Sequence, residues 1–226
     1  MILQIETSTQ VCSCALSWQG ETLGLKEVNA PNIHASQLTL LIQELLREKA
    51  VTWDALKAVA VSKGPGSYTG LRIGVSTAKG LCYALDLPLI SVSTLHSMAA
   101  GFLEQKQIQE DTLLVPMIDA RRREVYQSVL NTDLQTVEPI AARIIDVESY
   151  VHLNQPVILF GSGADKFTET FQHHPQVEVF AGFELSSAYM RHAAYRKFEQ
   201  SAFEDLAYFE PFYLKDFVAT TPKKRT

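Results

Sequence analysis

Four short stretches group residue types that can do chemistry. Glu6-Thr-Ser-Thr9 sets a carboxylate beside three hydroxyls. In a turn, such hydroxyls and the backbone N–H groups around them can cradle phosphate; the same composition also makes an ordinary hairpin turn. Gly64-Pro-Gly-Ser-Tyr-Thr-Gly70 precedes a helix-type segment, where it reads either as a backbone nest that favours an anion or as a tight strand-to-helix turn. It is not a P-loop, because no Gly-Lys-Ser/Thr follows at the required spacing. Nor is it the dinucleotide fingerprint, because Thr69 stands where the third glycine belongs. Asp119-Ala-Arg-Arg-Arg-Glu-Val-Tyr126 places a basic triplet beside an acid. Such a triplet can bind phosphate or a partner's carboxylate, although loop arginines more often sit in solvent. Gly161-Ser-Gly-Ala164 lets a backbone approach a flat ligand such as a base, or only starts a helix.

Other catalytic patterns are missing. Of His34, His96, His152, His173, His174 and His192, no two form HxxxH or HExxH, so the sequence offers no metal site. Cys12 and Cys14 share one strand face, but no second cysteine pair exists, which points to core packing. There is no Gly-x-Ser-x-Gly elbow and no recognisable nucleophile–base set. Lys223-Lys-Arg225 near the end can touch RNA or remain a solvated tail.

The elements that must hold these stretches follow from periodicity. Ile2–Glu6, Val11–Trp18 and Thr22–Val28 read as strands, the last two joined at Gly20. Leu38, Leu41, Ile42, Leu45 and Leu46 follow the amphipathic helix template, with Asn32 or Ser36 as its expected cap. Ala58–Val61 is a buried strand that delivers the glycine-rich loop to a helix. Interior glycines in that helix each cost about 0.5–1 kcal/mol relative to alanine. Gly70, Gly74 and Ala78 recur every four residues, so one flat face is built for close approach, either to another chain or to this chain's own sheet. Leu87–Val92 is a further strand, and a helix runs from Ser93 or Thr94 to about Gln105. The polar run 104–111 is the expected boundary between lobes. Beyond it come strands at 112–118, 124–130, 136–140 and 156–161, and helices at about 164–173 and 185–201. The last helix is a candidate to return to the first lobe, and the tail from Lys215 reads as frayed and basic. Two similar α/β lobes, 1–105 and 106–226, are therefore expected.

Hydrophobic residues at 46% and charged ones at 20% permit an ordinary core. A net charge of −5 argues against a protein whose main task is gripping a phosphate backbone. Met1-Ile-Leu-Gln-Ile-Glu lacks a basic n-region and reads as a strand, not a signal peptide. With three cysteines and no apolar run of membrane-spanning length, a cytoplasmic location is expected.

Ile5-Glu-Thr-Ser, Gly64-Pro-Gly-Ser-Tyr-Thr-Gly-Leu-Arg-Ile-Gly74, Val92-Ser-Thr-Leu95, Asp119-Ala-Arg121 with Glu124-Val-Tyr126, and Pro211-x-Tyr213-Leu-Lys215 together resemble the TsaB (YeaZ) family. That resemblance covers nearly the whole chain. It implies an actin-like/Hsp70-like (ribonuclease H-like) ATPase fold of two related lobes with mixed sheets flanked by helices. It further implies a non-catalytic scaffold in the synthesis of N6-threonylcarbamoyladenosine at position 37 of tRNAs reading ANN codons. On this view the chain dimerises with TsaD and helps recruit the ATPase TsaE, and it pairs with itself when alone. The family associates through helices corresponding to 34–49 and 70–85, so the implied partner surface is His34, Leu38, Leu41, Gly70, Leu71, Gly74, Val75, Ala78, Leu81 and Cys82. On that basis Gly74→Arg is expected to block association and spare the fold. Thr7, Ser8, Thr9, Asp119, Arg121, Gly161 and Gly163 occupy the family's nucleotide positions. Two of the three signatures depart from the superfamily pattern, so ATP or ADP binding is expected to be weak or shared with TsaD, without a metal. The alternatives are a stand-alone ATPase or kinase and, last, the glycoprotease of an older family label.

Overall fold

The computed structural model describes residues 1–215. The stretch Lys223-Lys-Arg225 and nearly all of the basic tail lie outside them. Ten strands form two five-stranded sheets with the same internal plan. The first comprises β1 (Ile2–Glu6), β2 (Val11–Trp18), β3 (Glu21–Asn29), β4 (Ala58–Ser62) and β5 (Leu89–Val92), in the order β3-β2-β1-β4-β5. The second comprises β6 (Leu113–Asp119), β7 (Glu124–Leu130), β8 (Thr136–Ile144), β9 (Val157–Phe160) and β10 (Val177–Phe180), in the order β10-β9-β6-β7-β8. In each sheet three antiparallel strands are followed by parallel ones, added through helical connections. The molecule is thus a mixed α/β protein of two alike halves.

Five α-helices cover the sheets: α1 (His34–Glu48), α2 (Tyr68–Leu85), α3 (Thr94–Gln105), α4 (Thr168–Phe171) and α5 (Arg191–Glu199). The leucine stripe of α1 packs with α2 on one face of the first sheet, around Leu3, Ile5, Cys14 and Val59. The other face is covered by α5 and the turn before it, where Ala194 and Met190 meet Ile2, Ala60 and Ile90. Conversely α3, expected within the first lobe, packs on the second sheet: Leu95, Met98 and Phe102 meet Leu114, Ile118 and Phe160. The Phe102 and Phe160 rings stack at 4.1 Å between centroids. Each sheet is therefore closed by a helix that the sequence places in the other half.

Several local expectations need correction. Neither Asn32 nor Ser36 caps α1. Asn32 adopts a left-handed conformation (φ 59°), Ile33 holds the cap position, and the Ser36 hydroxyl donates back to the Ile33 carbonyl. The helix expected at 164–173 is a 3-10 turn, Asp165–Phe167, followed by the single turn α4. Pro175 disfavours helical geometry at His174, whose Nδ1 instead accepts from the N–H groups of Gln176 and Val177 as β10 begins. That four-residue strand was too short to register as a pattern. The last helix starts at Arg191, after the 3-10 turn Ser187–Met190, and β8 continues to Ile144.

Candidate functional site

The hydroxyl-rich stretch Thr7–Thr9 lies between β1 and β2, and the glycine-rich loop closes over it. The Thr7 hydroxyl donates to the Gly70 carbonyl at 2.8 Å, and the Ser67 N–H donates to the Ser8 carbonyl at 2.7 Å. A Cβ on Gly66 would lie 2.6 Å from Ser8, one on Gly70 2.0 Å from the Thr7 carbonyl oxygen, and one on Gly74 2.2 Å from the Thr7 hydroxyl. This is the reason for glycine along the first half of α2: the chain's own turn occupies the room that their side chains would need. The Ser67 side chain caps the helix by accepting from the Gly70 N–H. Gly64 has φ +110°, a conformation open chiefly to glycine. It exchanges hydrogen bonds with Thr94 at the start of α3.

Beneath the turn Glu6 is fully buried. Its Oε1 accepts from the Ser8 N–H at 2.6 Å and the Ser62 hydroxyl at 2.9 Å, while its Oε2 has no hydrogen-bond partner. Desolvation holds this carboxyl above the ordinary carboxylate range, offset in part by those hydrogen bonds. Thr7 and Ser8 are buried too, and only Thr9 is partly open. This turn does not fit a nucleoside phosphate: the backbone that would receive it is already packed and hydrogen-bonded.

The other two nucleotide positions are likewise used internally. Asp119 ends β6, accepts from the Arg121 N–H at 2.9 Å, and pairs with Lys166 at 2.6 Å. The Lys166 ammonium also donates to the carbonyls of Arg122 and Glu124, so it clamps the β6–β7 hairpin from the 3-10 turn preceding α4. Gly161 and Gly163 are buried against β6. Added Cβ atoms there would lie 2.5 Å from the Met117 carbonyl oxygen and 2.9 Å from the Ile118 backbone. Their small size serves packing of the second lobe. Arg121 projects into solvent with Arg122 and Arg123. The Lys166 clamp escaped sequence reasoning because it joins residues more than forty positions apart.

The face expected to meet a partner also needs correction. Of His34, Leu38, Leu41, Gly70, Leu71, Gly74, Val75, Ala78, Leu81 and Cys82, all but the half-buried Leu81 are buried within this chain. Gly70, Gly74 and Ala78 face inward, so Gly74→Arg would collide with Thr7 before it met any partner. The outward face of α2 carries a second small-residue series, Ser76, Gly80 and Ala84, all exposed. A Cβ on Gly80 would meet nothing within 4 Å. On the same helix Tyr83 is 84% exposed. The signal for this face was present, since Gly80 breaks the four-residue series, but periodicity does not say which series points inward.

A C-terminal strap borders the same helix. The Lys79 ammonium donates to the carbonyls of Ala207 and Phe209. The Phe212 N–H donates to the Lys63 carbonyl at 2.7 Å, and the Tyr213 ring packs 4.8 Å from that of Tyr68. Lys215 then pairs with Glu124 in the second lobe. Among the described residues no three His, Cys, Asp or Glu side chains are grouped to hold a metal, and no helix is long and apolar enough to cross a membrane. A groove of about 870 Å³ is lined by Phe102, Ile108, Phe171 and Phe180 among others and by none of the motif residues.

The family model of TsaD, tRNA N6-adenosine threonylcarbamoyltransferase, matches residues 27–224. The tRNA threonylcarbamoyladenosine biosynthesis protein TsaB of Haemophilus influenzae is 38% identical over 127 residues, 56% of this chain and 52% of that protein. The TsaB of Buchnera aphidicola subsp. Baizongia pistaciae is 30% identical over 173 residues, 74% of this chain and 76% of its own length. The match thus spans about half the length of the first of these relatives and three quarters of the second. YeaZ from Pseudomonas aeruginosa superposes with a TM-score of 0.78 at 25% identity, covering 94% of this chain and 99% of that one. A more distant fold neighbour is the activator of 2-hydroxyisocaproyl-CoA dehydratase from Clostridium difficile, solved with bound ADPNP. It has a TM-score of 0.52 at 8% identity and covers 89% of this chain and 96% of that one.

Proposed function

Because the chain belongs to the TsaB (YeaZ) family, within the wider group matched by the TsaD model, we propose that it is a non-catalytic subunit in the synthesis of N6-threonylcarbamoyladenosine at position 37 of tRNA. Its role is to dimerise with a TsaD-type homologue, hold that partner in working form and help recruit a TsaE-type ATPase. The observation that carries the scaffold reading is Gly80. An exposed glycine in a helix interior costs about 1 kcal/mol relative to alanine, and none of the described residues uses the space above it. Ser76, Gly80 and Ala84 let a partner helix approach the α2 backbone closely, with Tyr83 supplying apolar area beside it. A copy of the chain can use the same face, which gives a homodimer when the partner is absent. The closed turn at Thr7–Ser8 supports a subunit without ATP turnover of its own. Any ATP or ADP is then held by the partner or shared with it.

The test is size-exclusion chromatography of the chain with its TsaD-type partner, together with restoration of the tRNA modification in cells lacking the native gene. Gly80→Arg is expected to keep the fold, judged by its melting curve, and to abolish both co-elution and restoration. A well-folded Gly80→Arg protein that still co-elutes would place the partner elsewhere.

A further inference from the structure

We propose that the tip of the β6–β7 hairpin, Arg121-Arg122-Arg123, is a contact surface for the RNA phosphate backbone. The proposal rests on the tRNA reading above and names the part of this chain that touches the substrate. All three arginines are exposed. The acids around them are already matched: Asp119 pairs with Lys166 and Glu124 with Lys215. Arg143, which lies opposite Val125 in the register, pairs with Glu138. The guanidiniums at the tip therefore keep their charge without an ion-pair partner among the described residues, in a chain whose net charge is −5.

The backbone at this tip is also costly. Arg121 and Arg122 have φ of 73° and 51°, the left-handed region that glycine and asparagine adopt most readily. Two consecutive arginines in the left-handed region carry strain that a purely connecting loop would shed. The turn is nonetheless held firmly. Asp119 accepts from the Arg121 N–H, the Glu124 N–H donates to the Arg121 carbonyl, and Lys166 binds the Arg122 carbonyl. A rigid tip presenting adjacent planar forks suits bidentate contact with phosphate oxygens. It fits a polyanion better than an isolated carboxylate, because one carboxylate could engage only one of the three.

The experiment measures binding of an unmodified tRNA transcript by fluorescence anisotropy, for the full chain alone and with its TsaD-type partner. Each phosphate contact contributes a salt slope of about 0.7–0.9, equivalent to roughly five- to eightfold in affinity at 0.1 M salt. The triple variant Arg121→Gln/Arg122→Gln/Arg123→Gln should therefore bind about 100- to 500-fold more weakly and flatten the slope by about 2–3. Arg121→Gly/Arg122→Gly removes two charges and relieves the strained backbone. It should weaken binding while leaving the melting temperature unchanged or raised, which separates contact from folding. Equal tRNA binding by wild type and the triple variant, or no binding by wild type in either setting, overturns the proposal. So does polyglutamate binding as tightly as tRNA with the same dependence on the arginines, which would mark a carboxylate site. If the tip variants bind tRNA unchanged and still restore modification in cells, this contact fails and the subunit role stands; loss of co-elution by Gly80→Arg with intact tRNA binding bears only on the partner face.

Discussion

Two glycines of one helix should respond in opposite ways to the same substitution. Gly80→Ala adds a methyl group to open solvent, since nothing lies within 4 Å of its Cβ position. The gain is helix propensity and a less flexible unfolded chain, about 0.5–1 kcal/mol. For a chain of this length that raises the melting temperature by about 1–4 °C. Gly74→Ala gains the same propensity but places Cβ 2.2 Å from the Thr7 hydroxyl. That hydroxyl must rotate away, which breaks its 2.8 Å bond to the Gly70 carbonyl in a buried site. Losing a buried bond costs about 1–3 kcal/mol, and overpacking costs about another 1–3 kcal/mol. The net change is a loss of about 1–5 kcal/mol, even after the propensity gain. Urea and thermal unfolding of the two single variants under one buffer provide the assay, read as midpoints at constant m. If Gly74→Ala is stabilised as much as Gly80→Ala, the glycine-rich loop is not seated on the Thr7–Ser8 turn, and the account of why this helix carries glycine fails.

Three further outcomes follow from the same geometry. The folded state raises the Glu6 carboxyl above its ordinary 4.5 by burial, so it holds its proton where the unfolded chain has lost it. Its contribution is therefore most favourable below about that ordinary value and declines as pH rises through the window above it. Glu6→Gln keeps an acceptor for the Ser8 N–H and the Ser62 hydroxyl, so it should be at least as stable as wild type at neutral pH, with a flatter stability–pH curve above the ordinary carboxylate value. A loss of more than about 2 kcal/mol at neutral pH would mean that the buried group is an ionised, paired carboxylate. Cys12, Cys14 and Cys82 are free and buried, their thiols pushed up by desolvation to about 11, 12 and 11. A disulfide reagent should label them only in denaturant; rapid labelling of the native protein would contradict the packing of β2 and α2. Lys166→Met removes the ammonium that ties Asp119 to the Arg122 and Glu124 carbonyls. It should cost about 1–3 kcal/mol and speed amide exchange at the β6–β7 tip; unchanged exchange there would show that the clamp is dispensable.

The repeated sheet plan gives the second half of the molecule its meaning. In each half a three-stranded antiparallel unit precedes the parallel strands, and α3 and α5 cross between halves to cover the sheets. The strap from Glu204 to Lys215 adds a third crossing, pairing with β5 at Leu89, holding α2 through Lys79, and reaching Glu124. Motion between the halves must therefore act on several covalent and hydrogen-bonded connections at once.

Sequence alone determined the strands from Ile2 to Val28, the leucine stripe of α1, the strand–loop–helix unit from Ala58 through α2, and the family resemblance. Each of these rests on local spacing: period two, period three to four, or a run of glycines whose backbone demands are visible residue by residue. It also identified Gly70, Gly74 and Ala78 as a face made for close approach. Tertiary structure alone decided what approaches it. The Thr7–Ser8 turn lies more than sixty residues away in sequence, and periodicity gives a helix two faces without saying which one the chain will cover. The same limit hid the Lys166 clamp, the exchange of α3 and α5 between sheets, and β10, whose four residues are held by pairing with β9. The glycines at 70 and 74 are taken by the chain itself. Gly80, which the same helix leaves uncovered, is where this structure leaves room for another.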